Sequence, residues 1–241
     1  MHSLSAHQPR GLLGRLVALA CLLATVQAFA QLGVELDLDR QNYIRYEPVN
    51  ATVTLRNYTG NTLLFGSEDA PDGAGGYLRF QAFRGGGLQE VRVQRDTNPV
   101  ENLILGPGET RSLTIRINRI VDMSQVGTYT LSVRVGHRRL RKDYLSAPVP
   151  VDIRRGIPIW SRQVGVPQTS TTDVIPSRTV SLLRFRKKNG ESYAIRLEDE
   201  EKVFGIARLG PYLAGAEPNC HVDAMSNIHL LFQIHPRLYS Y

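Results

Sequence analysis

Cysteine is nearly missing from this sequence: Cys21 and Cys220 are the only two in 241 residues, alongside one tryptophan and three methionines. Cys21 falls in the N-terminal apolar segment. If that segment is removed, Cys220 stands alone, no internal disulfide can form, and the fold rests on its core. A chain of about 210 remaining residues buries roughly 70% of its unfolded surface, which is enough. Long apolar runs are also missing. The longest, Leu16–Val26, is broken only by Thr25 and falls short of the roughly 20 residues a membrane span requires. Neither charge dominates. The 29 basic and 22 acidic residues give a formal net charge of +7, scattered except at Arg138–Lys142 and Arg184–Lys188. An exported chain of this kind is not expected to bind nucleic acid. No Gly-x-Ser-x-Gly, His-Glu-x-x-His, Gly-x-x-x-x-Gly-Lys or Gly-x-Gly-x-x-Gly pattern occurs, which removes the commonest hydrolase and nucleotide signatures. Internal repeats are lacking too, so neither a solenoid nor a full propeller is expected.

What is present begins with a leader. Arg10 and Arg15 precede the apolar run, and Ala28-Phe29-Ala30 offers a small-x-small cleavage site before Gln31, the pattern of an export signal. Cleavage there leaves no transmembrane segment and places the protein outside the cell or in the periplasm or envelope. The polar stretch after Cys21 that a lipoprotein would need is not there.

The stretch from Val34 to Phe65 sets the architecture. Val34, Leu36 and Leu38 alternate with Glu35, Asp37 and Asp39; after a turn at Tyr46-Glu47-Pro48, Ala51, Val53 and Leu55 alternate with Thr52, Thr54 and Arg56. Side chains two apart share a face in a strand, so both segments bury one side and need a second sheet to cover it. A Gly-rich loop at Gly66–Gly76 leads to strands at Tyr77–Phe83 and Leu88–Val93, joined by a turn at Arg84–Gly87. The Gly106-Pro107-Gly108-Glu109 turn precedes alternation at Ser112–Asn118. Gly127–Val135 places Tyr129, Leu131, Val133 and Val135 on one face, and Tyr144–Ile153 closes the unit.

The Tyr43-x-x-x-Glu47-Pro48-Val49 turn, the Gly-Pro-Gly-Glu turn and GTYTLSVRV at 127–135 resemble the immunoglobulin-like or macroglobulin-like modules of exported bacterial proteins. A tyrosine opening a late strand, as Tyr129 does, is similar to the tyrosine corner of such sandwiches. The resemblance covers the first half of the mature chain and implies fold, not activity, since these modules serve as spacers, binding surfaces and inhibitors.

Beyond Arg154 the chain exits through Ile157-Pro158-Ile159 to Trp160, expected as a wedge between domains or as a ligand platform. Pro167–Pro176 reads as a linker. Strands follow at Thr179–Arg186 and Ser192–Leu197 around an Asn189-Gly190 turn, then at Lys202–Leu209, Ile228–Ile234 and Arg237–Tyr241. The stretch Val222–Gln233 resembles a single β-propeller blade. The expected fold is therefore all-β: an immunoglobulin-like antiparallel β-sandwich at 31–155, a linking segment at 156–178 and a small blade-like antiparallel sheet at 179–241, after a signal peptide at 1–30.

Candidate chemistry is sparse. His221, Asp223 and His229 carry ligand types suited to zinc or another divalent ion. His229 and His235 lie about 20 Å apart on a straight strand and cannot share one metal. Cys220 and His221, as strand neighbours, point to opposite faces and do not form a nucleophile pair. Three carboxylates in Glu68–Gly73 offer calcium ligands without the regular spacing. Asn50 and Asn57 fit the glycosylation pattern. No cofactor and no coherent catalytic set is implied. The expected function is an exported, non-enzymatic binding or structural module that recognises a protein or an envelope polymer. Its surfaces would include Arg138, Arg139, Arg141, Trp160, Tyr239 and Tyr241. The alternatives are a metal-dependent hydrolase or carbohydrate-active accessory domain, and a protease inhibitor acting through Gly66–Gly76. The C-terminal strand also offers an edge for pairing with a second copy.

Overall fold

Alternation governs the first half of the chain in the computed structural model, which describes residues 31–66, 75–95, 97–165, 177–187 and 190–241. The leader, most of the Gly66–Gly76 loop with its acidic Glu68–Gly73 segment, the Pro167–Pro176 stretch, and Lys188 and Asn189 of the Asn-Gly turn lie outside those residues. The protein is almost entirely β-structure. Among the described residues no helix is long and apolar enough to cross a membrane.

Three strands open the fold: β1 (Leu32–Leu38), β2 (Asn42–Ile44) and β3 (Asn50–Asn57). β1 and β3 pair antiparallel, with Leu36 opposite Val53 and Val34 opposite Leu55. Ala51, Val53 and Leu55 are fully buried, whereas Thr52 and Thr54 are half-buried. β4 (Leu63–Phe65), β5 (Gly76–Arg84), β6 (Gln89–Glu90), β7 (Leu103–Leu105) and β8 (Thr110–Arg116) follow, then a 3-10 turn at Ile117–Arg119. β9 (Gly127–His137), β10 (Tyr144–Leu145) and β11 (Val149–Arg154) complete this half.

One sheet runs β1-β3-β8 and the other β2-β11-β9-β5-β6, with β10 on the flank of β9. Leu36, Val53 and Leu55 from the first share one core with Leu78, Phe80, Leu131, Val133 and Val151 from the second. Two sheets that each bury every second residue are thereby covered by one another. β4 and β7 form a separate two-stranded ribbon whose Leu63, Phe65 and Leu105 enter the same core.

Three local features differ from the alternation reading. The strand expected at Leu88–Val93 shrinks to Gln89–Glu90, because Gly85, Gly86 and Gly87 all adopt positive φ and Leu88 projects into solvent at 93% exposure. The strand at Ser112–Asn118 ends at Arg116, and the 3-10 turn carries Ile117 into the core. β2 pairs with β11 in parallel, Asn42 opposite Asp152, while the other named pairs are antiparallel.

The second half forms two further sheets. β12 (Ile157–Gly165), β13 (Ser177–Lys187), β14 (Gly190–Glu198) and β15 (Val203–Pro211) make an antiparallel meander. β16 (Asn219–Val222), β17 (Ile228–His235) and β18 (Leu238–Ser240) make a three-stranded sheet. Residues 157–165, expected as an exit segment, are a nine-residue edge strand. Edge position explains the weak signal: Ile157 and Ile159 stay exposed, and the strand is held by its ladder to β13 rather than by alternating burial. Leu32–Tyr241 forms one compact unit.

A buried carboxylate joins the two halves. Glu47 is 6% exposed and receives a bidentate pair from Arg208 on β15, Nε to Oε1 at 2.5 Å and Nη2 to Oε2 at 2.7 Å. Arg40 donates to Oε1 at 2.8 Å and the Ile44 amide to Oε2 at 2.9 Å, so every acceptor position has a donor. The guanidinium of Arg208 lies over the Phe185 ring, 4.9 Å from its centroid. Beside this clamp Ile44 packs with Leu183, Phe185 and Ala194.

Asn57 performs a similar task at the other end. It is fully buried, and its amide donates to the carbonyls of Asn61, Leu105 and Gly106 at 2.8, 3.0 and 3.0 Å while accepting from the Thr59 amide. That Nδ2 has no room for a glycan, which corrects the glycosylation reading of Asn57.

Two outcomes follow in urea denaturation. Arg208→Ala leaves Glu47 buried with Arg40 as its only cation and lowers stability by about 3 kcal/mol. Asn57→Ala strands several buried carbonyls and lowers it by a further, additive amount of about 3 kcal/mol. Losses below about 1 kcal/mol for either change contradict these roles.

Candidate functional site

The turn from β16 to β17 is built around Asp223. Its Oδ1 accepts the amides of Met225 and Asn227, each at 2.9 Å, and its Oδ2 accepts Asn227 Nδ2 at 2.9 Å. Ser226 takes a left-handed φ of 64° to close the loop. His229, the second residue of β17, then reaches back to Asp223 Oδ2 with Nε2 at 3.0 Å. Facing a carboxylate, Nε2 carries the proton, so Nδ1 is the acceptor and takes the Tyr241 hydroxyl. Hydrogen bonds from His229 and Asn227 hold the Asp223 carboxyl well below the usual range.

His221 lies directly across from His229 in the ladder. Their rings stack at 6.3 Å between centroids, and the Tyr241 ring continues the stack beyond His229 at 5.9 Å, both at interplanar angles of 27°. The outer face of the three-stranded sheet therefore presents a ladder of three rings: His221, His229 and Tyr241. Tyr239 sits opposite Gln233 on β17 and Leu231 opposite Asn219, and both are exposed, at 59% and 44%. The other face, with Leu230, Phe232 and Ile234, packs against Leu182 and Tyr193.

The residues of the expected metal centre, His221, Asp223 and His229, all lie within this arrangement. The three side chains are neighbours, but the Asp223 oxygens are already engaged by the turn and by His229, both His229 nitrogens are occupied, and His221 stacks rather than converges. Among the described residues no group of three or more His, Cys, Asp or Glu is placed to hold a metal ion. Cys220 points inward opposite Leu230, away from His221, and burial pushes its thiol pKa up. A raised thiol is a poor nucleophile.

Arg138, Arg139 and Arg141 occupy the exposed turn between β9 and β10. His137 anchors this turn. It is buried, its ring meets Phe65 edge-on at 5.1 Å, and its Nδ1 accepts the Arg139 amide at 3.0 Å while Nε2 donates to the Leu64 carbonyl at 3.1 Å. The bond accepted by Nδ1 requires the neutral ring, and burial holds its pKa down against the bond to the Leu64 carbonyl, which favours the protonated form. Arg139 also donates to the Thr62 carbonyl at 3.1 Å. The turn belongs to the six-stranded sheet, whereas Tyr239 and Tyr241 lie with the three-stranded sheet.

Trp160 is a wedge at a different joint from the one expected. It packs against Leu182, Tyr193 and Phe232, between the four-stranded and three-stranded sheets. With Arg184 and Tyr212 it also lines a surface cleft of about 450 Å³. Arg184 was visible in sequence only as part of a basic cluster, and Tyr212 carried no signal beyond following a proline.

Set beside known proteins, the chain matches no family model and no curated protein.

Two separate pH windows are expected. His137 has a folded pKa below its unfolded value, so its contribution is complete above about pH 6.5 and is lost as pH falls below that. Asp223 is also depressed, so its contribution is present above about pH 4 and declines under stronger acid. Stability measured against pH should flatten between about pH 7 and 5 in His137→Gln, and below about pH 4 in Asp223→Asn. Unchanged profiles overturn the two assignments.

Proposed function

We propose that this protein is an exported, non-enzymatic binding module that docks a protein partner on the outer face of its C-terminal sheet. The leader pattern ahead of Gln31 supports export. An immunoglobulin-like reading of the first half draws support from Tyr129, whose hydroxyl donates to the Gln125 carbonyl at 2.7 Å, the contact that defines a tyrosine corner.

The observation that carries the docking reading is the concentration of exposed apolar and aromatic side chains on so small a sheet. On that face Tyr241 is 82% exposed, with Leu231 and Tyr239 at 44% and 59%, and Met225 in the adjoining turn is also 82% exposed. Monomeric surfaces seldom gather such residues without a use, and tyrosine and methionine are enriched where proteins meet. The stacked rings hold Tyr241 in place beforehand, which lowers the entropy lost on binding. Occupied ligand atoms at Asp223 and His229 weigh against the hydrolase alternative.

The test is capture from envelope extract by the mature chain, compared with a Leu231→Ser, Tyr239→Ala double variant. Recovery of a specific partner should fall at least about fivefold with the thermal midpoint unchanged. Undiminished recovery overturns the docking face, and a loss confined to an Arg138→Ala, Arg139→Ala, Arg141→Ala variant moves the site to the basic turn.

A further inference from the structure

The cleft beside Trp160 is shaped by an irregularity in the edge strand. Pro158 pairs with Leu183 and Trp160 with Leu182, leaving Ile159 as an extra, unpaired residue. Consecutive residues of a regular strand face opposite sides, but across this bulge both Ile159 and Trp160 line the cleft. Bulges commonly re-aim a side chain in this way.

Tyr212 lines the same cleft. Its ring is braced edge-on against buried Tyr193 at 5.4 Å, and its amide is tied to the Glu191 carbonyl at 3.0 Å. Tyr193 in turn donates to the Ala216 carbonyl at 3.3 Å, fastening the turn that carries Glu217. Two aromatic walls are thus held by the core before any ligand arrives.

Arg184 supplies the charge. Its Cζ lies 5.1 Å from the Tyr212 centroid, and Nη1 donates to the Tyr212 hydroxyl at 3.4 Å. Glu191 forms an ion pair with it, 3.7 Å from Nε and too long for a hydrogen bond, and Nε itself is buried without a hydrogen-bond partner. A guanidinium has five donors in a planar fork suited to a carboxylate. Glu217, also lining the cleft, offers acceptors for hydroxyl donors.

We propose that this cleft binds a carboxylate-bearing sugar unit of a polysaccharide. A pyranose acid matches each element: an apolar ring face for Trp160 and Tyr212, a carboxylate for the Arg184 guanidinium, whose ion pair with Glu191 is long, and hydroxyls for Glu217. A volume of about 450 Å³ accommodates one to two such rings. The site is distinct from the ring ladder on the outer face of the C-terminal sheet.

Trp160 is the sole tryptophan, so its fluorescence reports on this cleft alone. The mature chain is titrated with trigalacturonate, with its methyl ester and with N-acetylphenylalanine. The expected result is a saturable change with the acid trisaccharide and binding about tenfold weaker for the ester. Arg184→Gln should abolish the preference for acid over ester. Equal binding of acid and ester, saturation by N-acetylphenylalanine alone, or no saturable change with any probe overturns the proposal. The ligand comparison uses the unaltered chain, so it stands even if Arg184→Gln fails to fold.

Discussion

A carboxylate with almost no access to water is stable only when cations and donors surround it, and Glu47 is such a group. Arg208 approaches it from a strand 161 positions along the chain, while Arg40 and the Ile44 amide approach from its own neighbourhood. Four donors on two oxygens leave no freedom in the turn at Tyr46-Glu47-Pro48, and that turn sets where β2 ends and β3 begins. The same guanidinium also bonds the Asn42 carbonyl at 2.5 Å, so one side chain restrains both ends of the turn. The four-stranded sheet is held to the sandwich by this polar clamp and a small apolar patch around Ile44. Specificity of docking therefore rests on charge geometry more than on buried area.

Most of the first half was legible in the sequence because its strands are half-buried and alternate. Val53, Leu131 and Val133 lie on the faces that the pattern of period two assigns them. The edge strand at Ile157–Gly165 was not legible for the opposite reason. Apart from Trp160 and Val164 its residues are exposed, and its backbone is satisfied by a neighbour that no local pattern announces. The parallel partnership of β2 and β11 was hidden too, since three residues are too few to show a period. Glu47 stood in a recognisable turn, yet its partner Arg208 is one arginine among many, and only the fold selects it.

The residues chosen for chemistry met a different fate. His221, Asp223 and His229 do come together, as their parity on strands allowed. What sequence could not supply was how many of their polar atoms the turn itself would occupy. Asp223 is absorbed in closing a loop, and the two imidazoles become rungs of a stack. Arg184 shows the converse: it was one basic residue of a cluster in the sequence, and a one-residue bulge and a meander bring it onto one cleft with Trp160.

The parallel pairing of β2 with β11 also bears on how the chain reaches this state. A three-residue strand near the start completes its sheet only against one of the last strands of the same half, and the Glu47–Arg208 pair spans further still. Contacts so distant along the chain must await the closure of long loops, which slows the final step of folding. Until then the outer edge of β11 is open, with its backbone donors and acceptors unpaired. A late contact is thus also the one that caps an adhesive edge, and conditions that delay it lengthen the time during which two chains can join in place of one closing on itself.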